Sequence, residues 1–257
     1  MMFRPKIVGF LCNWSLPQEV NTTGTGIIQG YPKIRIVRVM CIGRIDPVIV
    51  LETFVKGADG VLVIGCHPPD CHYIEGNLQA ERKIKMLKKL ISRTGLEPER
   101  LRLDWAYASE TELFATIIDD FRTQVAVLGP SPLAGKKPDE NVLAGIMAAK
   151  AVTGDSRLRT LVGREKELIE EGNVYNEKVE QEEFDEVMNE SIDEEYVRSR
   201  IRLLVKDRPM SVEGLARHLG LDPKKVLRHI VVLRHRGLVA LDKIEREDPL
   251  YIALEVT

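Results

Sequence analysis

Three short stretches in the first half of the chain are nearly continuous apolar runs: KIVGFLC (6–12), IRIVRVMC (34–41) and GVLVIGC (60–66). Runs of this length, rich in β-branched residues and without strict polar alternation, predict strands covered on both faces, as in a parallel sheet. Between and after them the pattern changes to a helical period. PVIVLETFVKG (47–57) opens on Pro47, suited to a first helical turn, and closes on Gly57, suited to a C-terminal cap. GNLQAERKIKMLKKLISRTG (76–95) sets Leu78, Ile84, Leu87 and Ile91 at helical spacing against a lysine- and arginine-rich face. A fourth strand, RLRLDWA (100–106), leads into SETELFATIIDDF (109–121), where Ser109 and Glu112 have the spacing of a capping box. GTGIIQG (24–30) lies too far past the first strand for a dinucleotide fingerprint and reads as a loop. The βαβα alternation predicts a small, open, flavodoxin-like α/β domain over residues 1–128.

The texture changes at LGPSPLAGKKPDEN (128–141), whose Pro, Gly and Lys content marks a linker. Residues 129–192 read as linker followed by a helical, strongly acidic connector, with few apolar positions toward its end. The remainder, 193–257, has the order of a winged-helix domain. An amphipathic helix comes first, then a short helix capped by Ser211. A third helix runs between Asp222 as cap and Gly237 as terminator, and two strands flank a charged wing.

At 257 residues the chain is long enough for one substantial core and a second domain. A hydrophobic share of 44% and a charged share of 30% fit a soluble globular protein. No apolar run approaches the roughly 18 residues of a membrane span, and the first residues lack a small-residue cleavage site. A reducing cytoplasm is therefore the expected compartment, where cysteines serve as thiols, metal ligands or catalysts before they serve as disulfides.

There are four cysteines. Cys12, Cys41 and Cys66 each close one of the first three strands, and Cys71 follows on the loop GCHPPDCHY. The carboxyl ends of parallel strands share one crevice, where such sheets bind ligands. Cysteine is often simply buried, but four at one edge argue for a shared task. Two chemistries suit four thiolates: tetrahedral zinc or an iron–sulfur cluster. One Cys-x4-Cys pair with two isolated cysteines is unlike the paired knuckles of structural zinc and favours the cluster. Gly43 and Gly65 would admit close backbone approach, and Arg44 would supply positive charge.

The motifs CNW, RVMCIGRIDP, GADGVLVIGCHPPDCHYIEGN and ERLRLDWAYASE resemble the delta subunit of methyl-viologen-reducing hydrogenase, over about residues 5–125. That family serves heterodisulfide reductase in methanogens and related anaerobes. The resemblance implies a 2Fe–2S cluster on Cys12, Cys41, Cys66 and Cys71. It also implies a non-catalytic role, passing electrons from a hydrogenase or formate dehydrogenase-type donor to the flavin subunit of heterodisulfide reductase, within a homo- or hetero-oligomer. The sequence departs from the family at Ser15, where the pattern Cys-Asn-Trp-Cys has its second cysteine, and in the stretch that follows.

Other residues carry less. His67 and His72 could ligate iron as in Rieske centres, but are better suited to bond sulfur or cap the loop. Asp70 would cap a helix or orient a histidine, and Trp14 would pack over the site. Lys224, Lys225, Arg228, Arg234 and Arg236 lie on or near the third winged-helix segment, as a DNA reader requires. Residues 193–257 nevertheless hold 13 basic against 11 acidic side chains, and the net charge of the whole chain is −2. Protein docking is thus expected over nucleic-acid binding. The alternative is a redox- or metal-responsive regulator that reads DNA with its winged helix.

Overall fold

The computed structural model describes residues 3–17, 25–28, 31–172 and 174–255, without the side chains of 25–28, 31 and 32. It divides into two compact units, Met1–Lys178 and Val179–Thr257.

The first unit is built on a five-stranded sheet of order β2-β3-β1-β4-β5. The strands are β1 (Ile7–Cys12), β2 (Thr25–Ile28), β3 (Tyr31–Val39), β4 (Gly60–Gly65) and β5 (Leu101–Trp105). β3, β1, β4 and β5 are parallel, so the chain-order sequence of the parallel strands, 2-1-3-4, follows the flavodoxin-like arrangement. All six residues of β4 are buried, as its unbroken apolar run requires.

Alternate residues point to opposite faces. Ile7, Leu11, Ile34, Ile36, Leu62 and Ile64 form one face, closed by Phe114, Ile117, Ile118, Phe121 and Val125 of α3 (Thr111–Leu128). Val63, on the opposite face, packs with Val50 of α1 (Pro47–Val55) and Ile84 and Leu87 of α2 (Gly76–Ile91). Asp46 caps α1 by accepting from the Val48 amide at 2.9 Å.

Three differences from the sequence expectations stand out. Thr25–Ile28, expected as a loop, pairs antiparallel with β3 and satisfies that strand's open edge; the glycines beside it are outside the described residues. The capping box at Ser109 and Glu112 does not form. α3 begins at Thr111 with no side-chain cap, because the Glu110 carboxylate accepts from the Tyr107 amide and faces His67. Third, part of the segment expected as linker and connector is built into the first unit. α4 (Glu140–Val152) packs on α1 and α5 (Ser156–Lys166) on α2.

The linker start is pinned at the sheet edge opposite the cysteines. Buried Arg100 donates to the carbonyls of Asp59 and Gly129 at 3.0 and 2.9 Å and pairs with Glu97 at 2.7 Å. Asp59 in turn accepts from the amides of Lys6 and Ser131, both at 2.8 Å.

The second unit starts with a 24-residue helix, α6 (Gln181–Leu204), which takes in the acidic stretch. β6 (Met210–Ser211), α7 (Val212–Leu219), α8 (Pro223–His235), β7 (Val239–Glu245) and β8 (Asp248–Ala253) follow. The strands form an antiparallel sheet of order β6-β8-β7. Ser211 and Asp222 cap α7 and α8 as expected. Arg246 and Glu247, both at positive φ, make the two-residue turn of the wing. Ile201, Leu215, Val226, Ile230, Val239 and Tyr251 are its core. No helix among the described residues is long and apolar enough to cross a membrane.

Candidate metal centre

The strand register brings the cysteines to one edge. Cys12 lies opposite Val39, two residues before Cys41, while Leu11 lies opposite Ile64, two residues before Cys66. Cys41 ends its strand by capping a 3-10 turn, Ile42–Arg44, its Sγ accepting from the Gly43 amide at 3.4 Å. The Cys66 carbonyl is held by the buried Asn77 side chain, which donates from Nδ2 at 3.2 Å. Cys71 sits in a tight loop where the Ile74 amide donates to its carbonyl at 2.9 Å.

The thiols form two pairs. Cys12 Sγ and Cys66 Sγ are 3.7 Å apart. Cys41 and Cys71 bring their sulfurs together over Gly76, and Cys41 also feels the Cys12 and Cys66 sulfurs. Two sulfurs on one tetrahedral metal with bonds of about 2.3 Å would be about 3.8 Å apart, so the Cys12–Cys66 pair has the spacing of two ligands on one ion. Among the described residues no group of three or more His, Cys, Asp or Glu side chains is arranged around a single ion.

Glycine makes this packing possible. A Cβ on Gly76 would lie 2.2 Å from Cys41 Sγ and 3.4 Å from Cys71 Sγ, and one on Gly43 would lie 2.5 Å from the Gly76 carbonyl oxygen. The start of α2 therefore abuts the cysteine turn backbone to backbone. Lys83, two turns into that helix, donates to the Gly43 carbonyl at 2.6 Å and lies within the field of Cys41. Sequence reasoning assigned the positive charge to Arg44 and missed Gly76, Asn77 and Lys83. A glycine opening an otherwise good helix in YIEGN was the available signal.

The two loop histidines stand apart from the thiols' pairing. His67 Nε2 is 3.0 Å from Glu110 Oε2, and His72 stacks on Trp14 with ring centroids 3.6 Å apart. Asp70 neither caps a helix nor orients a histidine; it accepts from the Tyr107 hydroxyl at 2.9 Å. Trp14, Met40, Tyr73, Ile74 and Tyr107 are large hydrophobic residues left exposed on the turns and loops that follow the strands. Ile74 is 82% exposed at a φ of 70°, an unusual combination for a β-branched residue.

The family described as methyl-viologen-reducing hydrogenase, delta subunit, matches residues 7–129, a span that includes all four cysteines. The vhc iron-sulfur subunit of an F420-non-reducing hydrogenase from Methanococcus voltae is 45% identical over 131 residues, 51% of this chain and 91% of that protein. The chain belongs to the methyl-viologen-reducing hydrogenase delta-subunit family. The iron-sulfur subunit of an F420-non-reducing hydrogenase from Archaeoglobus profundus is 43% identical over 50% of this chain and 93% of its own length. The same half is 44% identical to 16% of a longer protein from Methanosarcina acetivorans, a subunit of its ferredoxin/F(420)H(2)-dependent CoB-CoM heterodisulfide reductase. Residues 197–240 match the bacterial regulatory protein, arsR family, in line with the winged-helix fold of the second unit.

Within the domain that matches the delta family, burial governs the electrostatics of the Cys12 and Cys41 thiols. It pushes Cys12 up to about 11, the Trp14 backbone N–H acting against the rise and Cys66 and Cys41 adding to it. Cys41 is raised in the same way by burial, opposed by the Gly43 amide and reinforced by Cys71. Such thiols give up their protons at neutral pH to a bound metal and to little else. Ser15, where the family pattern has a cysteine, is fully buried, and its amide donates to the Cys12 carbonyl at 3.0 Å. Its hydroxyl has no hydrogen-bond partner among the described residues.

Proposed function

We propose that the first unit holds a 2Fe–2S cluster on Cys12, Cys41, Cys66 and Cys71. It would pass electrons from a hydrogenase or formate dehydrogenase-type donor to the flavin subunit of heterodisulfide reductase. The observation that carries this reading is the grouping of four thiols into two pairs, one pair for each iron, at the ligand-binding edge of a parallel sheet. Bound there, the cluster supplies one-electron exchange without transfer of atoms. The chain does the rest. Cys12 with Cys66 would hold one iron and Cys41 with Cys71 the other, while Gly76 leaves room for the Cys41 and Cys71 sulfurs and Gly43 for the Gly76 backbone. The amides of Trp14 and Gly43 point at sulfur, and Lys83 adds positive charge nearby.

Trp14, Met40, Tyr73, Ile74 and Tyr107 give that edge an apolar, aromatic surface suited to a protein partner. In the Methanosarcina acetivorans relative, a region similar to this domain is part of a heterodisulfide reductase polypeptide, which supports that reductase as the acceptor. The compartment would be a reducing cytoplasm, and the working form a hetero-oligomer. On this reading the winged helix is a docking module; Leu227 and Val231 of α8 are exposed apolar residues among its lysines and arginines.

A second reading rests on the arsR-family match over residues 197–240: a redox- or metal-responsive regulator that binds DNA through α8. Capture of partners from native anaerobic extract separates the two. Recovery of heterodisulfide reductase polypeptides is expected. Salt-sensitive, sequence-specific DNA binding without those partners would overturn the electron-transfer reading in favour of the regulator.

A further inference from the structure

Ser15 is the buried, unpartnered side chain that belongs to a cysteine-bearing turn. The bond from its amide to the Cys12 carbonyl closes the turn Cys12-Asn13-Trp14-Ser15, which keeps the Cα atoms of Cys12 and Ser15 within about 7 Å. The Trp14 amide in the same turn already faces the Cys12 sulfur. A hydroxyl sealed in a protein interior carries one proton to donate, and buried donors rarely go without an acceptor. No carbonyl, carboxylate, hydroxyl or cysteine sulfur among the described residues accepts from Ser15 Oγ. The acceptors that the proposed function adds at this edge are the sulfurs of an iron–sulfur cluster, whose potential depends on the hydrogen bonds they receive.

We propose that Ser15 donates a hydrogen bond from its hydroxyl to the cluster held by Cys12, Cys41, Cys66 and Cys71, and thereby raises the cluster's reduction potential. This rests on the cluster reading above. Ser15 acts as a donor and not as a fifth ligand, since two thiol pairs already supply two ligands for each iron. Its proton stays on Oγ throughout; reduction adds one electron to the iron pair, with no bond made or broken at the serine. The added negative charge falls partly on sulfur and strengthens the hydrogen bond, so the reduced state is the one stabilised.

The test compares the full-length chain, purified without oxygen, with Ser15→Ala and Ser15→Thr. Ser15→Ala should keep its iron and its ligand spectrum. Its midpoint should fall by at least the 59 mV that corresponds to a tenfold change in a one-electron equilibrium. Ser15→Thr, which retains a hydroxyl, should restore most of that shift. Beside the couplings of the Trp14 and Gly43 amide protons, which every variant keeps, pulsed EPR should show one further exchangeable proton coupling that disappears in D2O, is present with Ser15 and Thr, and is missing with Ala. An unchanged midpoint and unchanged coupling in Ser15→Ala overturn the proposal. So does loss of the cluster in Ser15→Ala with retention in Ser15→Cys, which would make position 15 a ligand. If Ser15→Ala folds poorly, Ser15→Gly removes the same donor and is judged by the same midpoint. Wild-type protein without iron removes the cluster reading itself, an outcome distinct from any behaviour of the Ser15 variants.

Discussion

Replacing Gly76 by alanine sets two physical effects against each other, and the structure decides which prevails. Helix propensity favours alanine by about 1 kcal/mol in a helix interior, and Gly76 is the first residue of α2. Against this, the new methyl would lie 2.2 Å from Cys41 Sγ, where an ordinary carbon–sulfur contact needs about 3.7 Å. Roughly 1.5 Å must be found by moving one partner. The helix start cannot easily retreat, because Gly43 meets the Gly76 backbone directly. Cys41 must therefore swing away from Cys71 and lose the Gly43 amide that its sulfur accepts. Overpacking of this kind typically costs about 1–3 kcal/mol, so net of the propensity gain stability should fall by up to about 2 kcal/mol. Metal retention should fall far more, since ligand sets tolerate displacements of only about 0.5 Å. Urea midpoints followed by Trp fluorescence measure the first effect, and iron content after anaerobic reconstitution measures the second. Full iron occupancy with unchanged or raised stability in Gly76→Ala would refute the account of how α2 shapes the centre.

Other expectations follow from the frame around the site. Arg100→Ala removes a buried charge that ties Asp59 and the backbone at 128–130 together, and should destabilise the first unit by about 3–5 kcal/mol, read as a lower urea midpoint. Asp46→Ala deletes the cap of α1 and should cost about 1 kcal/mol by the same assay. In the second unit His229 is buried with neither ring nitrogen partnered, and burial, with Arg198 assisting, holds its pKa below the ordinary value. The unfolded chain therefore takes up the proton first as pH drops through about 6.5, and stability is lost from there toward the lower folded value. His229→Leu should raise stability at pH 7 by about 1 kcal/mol and flatten its slope between pH 7 and 5, measured by hydrogen exchange in α8. A slope unchanged by the substitution would contradict this.

The parts of the architecture that depend on local pattern were legible in the sequence. Continuous apolar runs mark buried parallel strands because both faces must be covered. Once β1, β3 and β4 are parallel, the positions of Cys12, Cys41 and Cys66 at their ends follow from register alone. Features set by tertiary contact were hidden. Thr25–Ile28 is a strand only because β3 offers an open edge. Ser109 loses the cap position because Glu110 is drawn to the Tyr107 amide and His67. The roles of Gly76 and Lys83 emerge only when α2 is laid against the turn after Cys41. Likewise α4 carries too few distinctive charges to advertise its packing on α1, where Lys150 meets Glu52 at 2.6 Å.

The most direct test of the central claim is the metal and sulfide content of the full-length chain after purification without oxygen. Two thiol pairs predict about two irons and two acid-labile sulfides per chain, a brown colour, and a signal from one unpaired electron on one-electron reduction. Cys66→Ala should abolish all three. A colourless protein carrying a single zinc, or one iron without sulfide, would contradict the account.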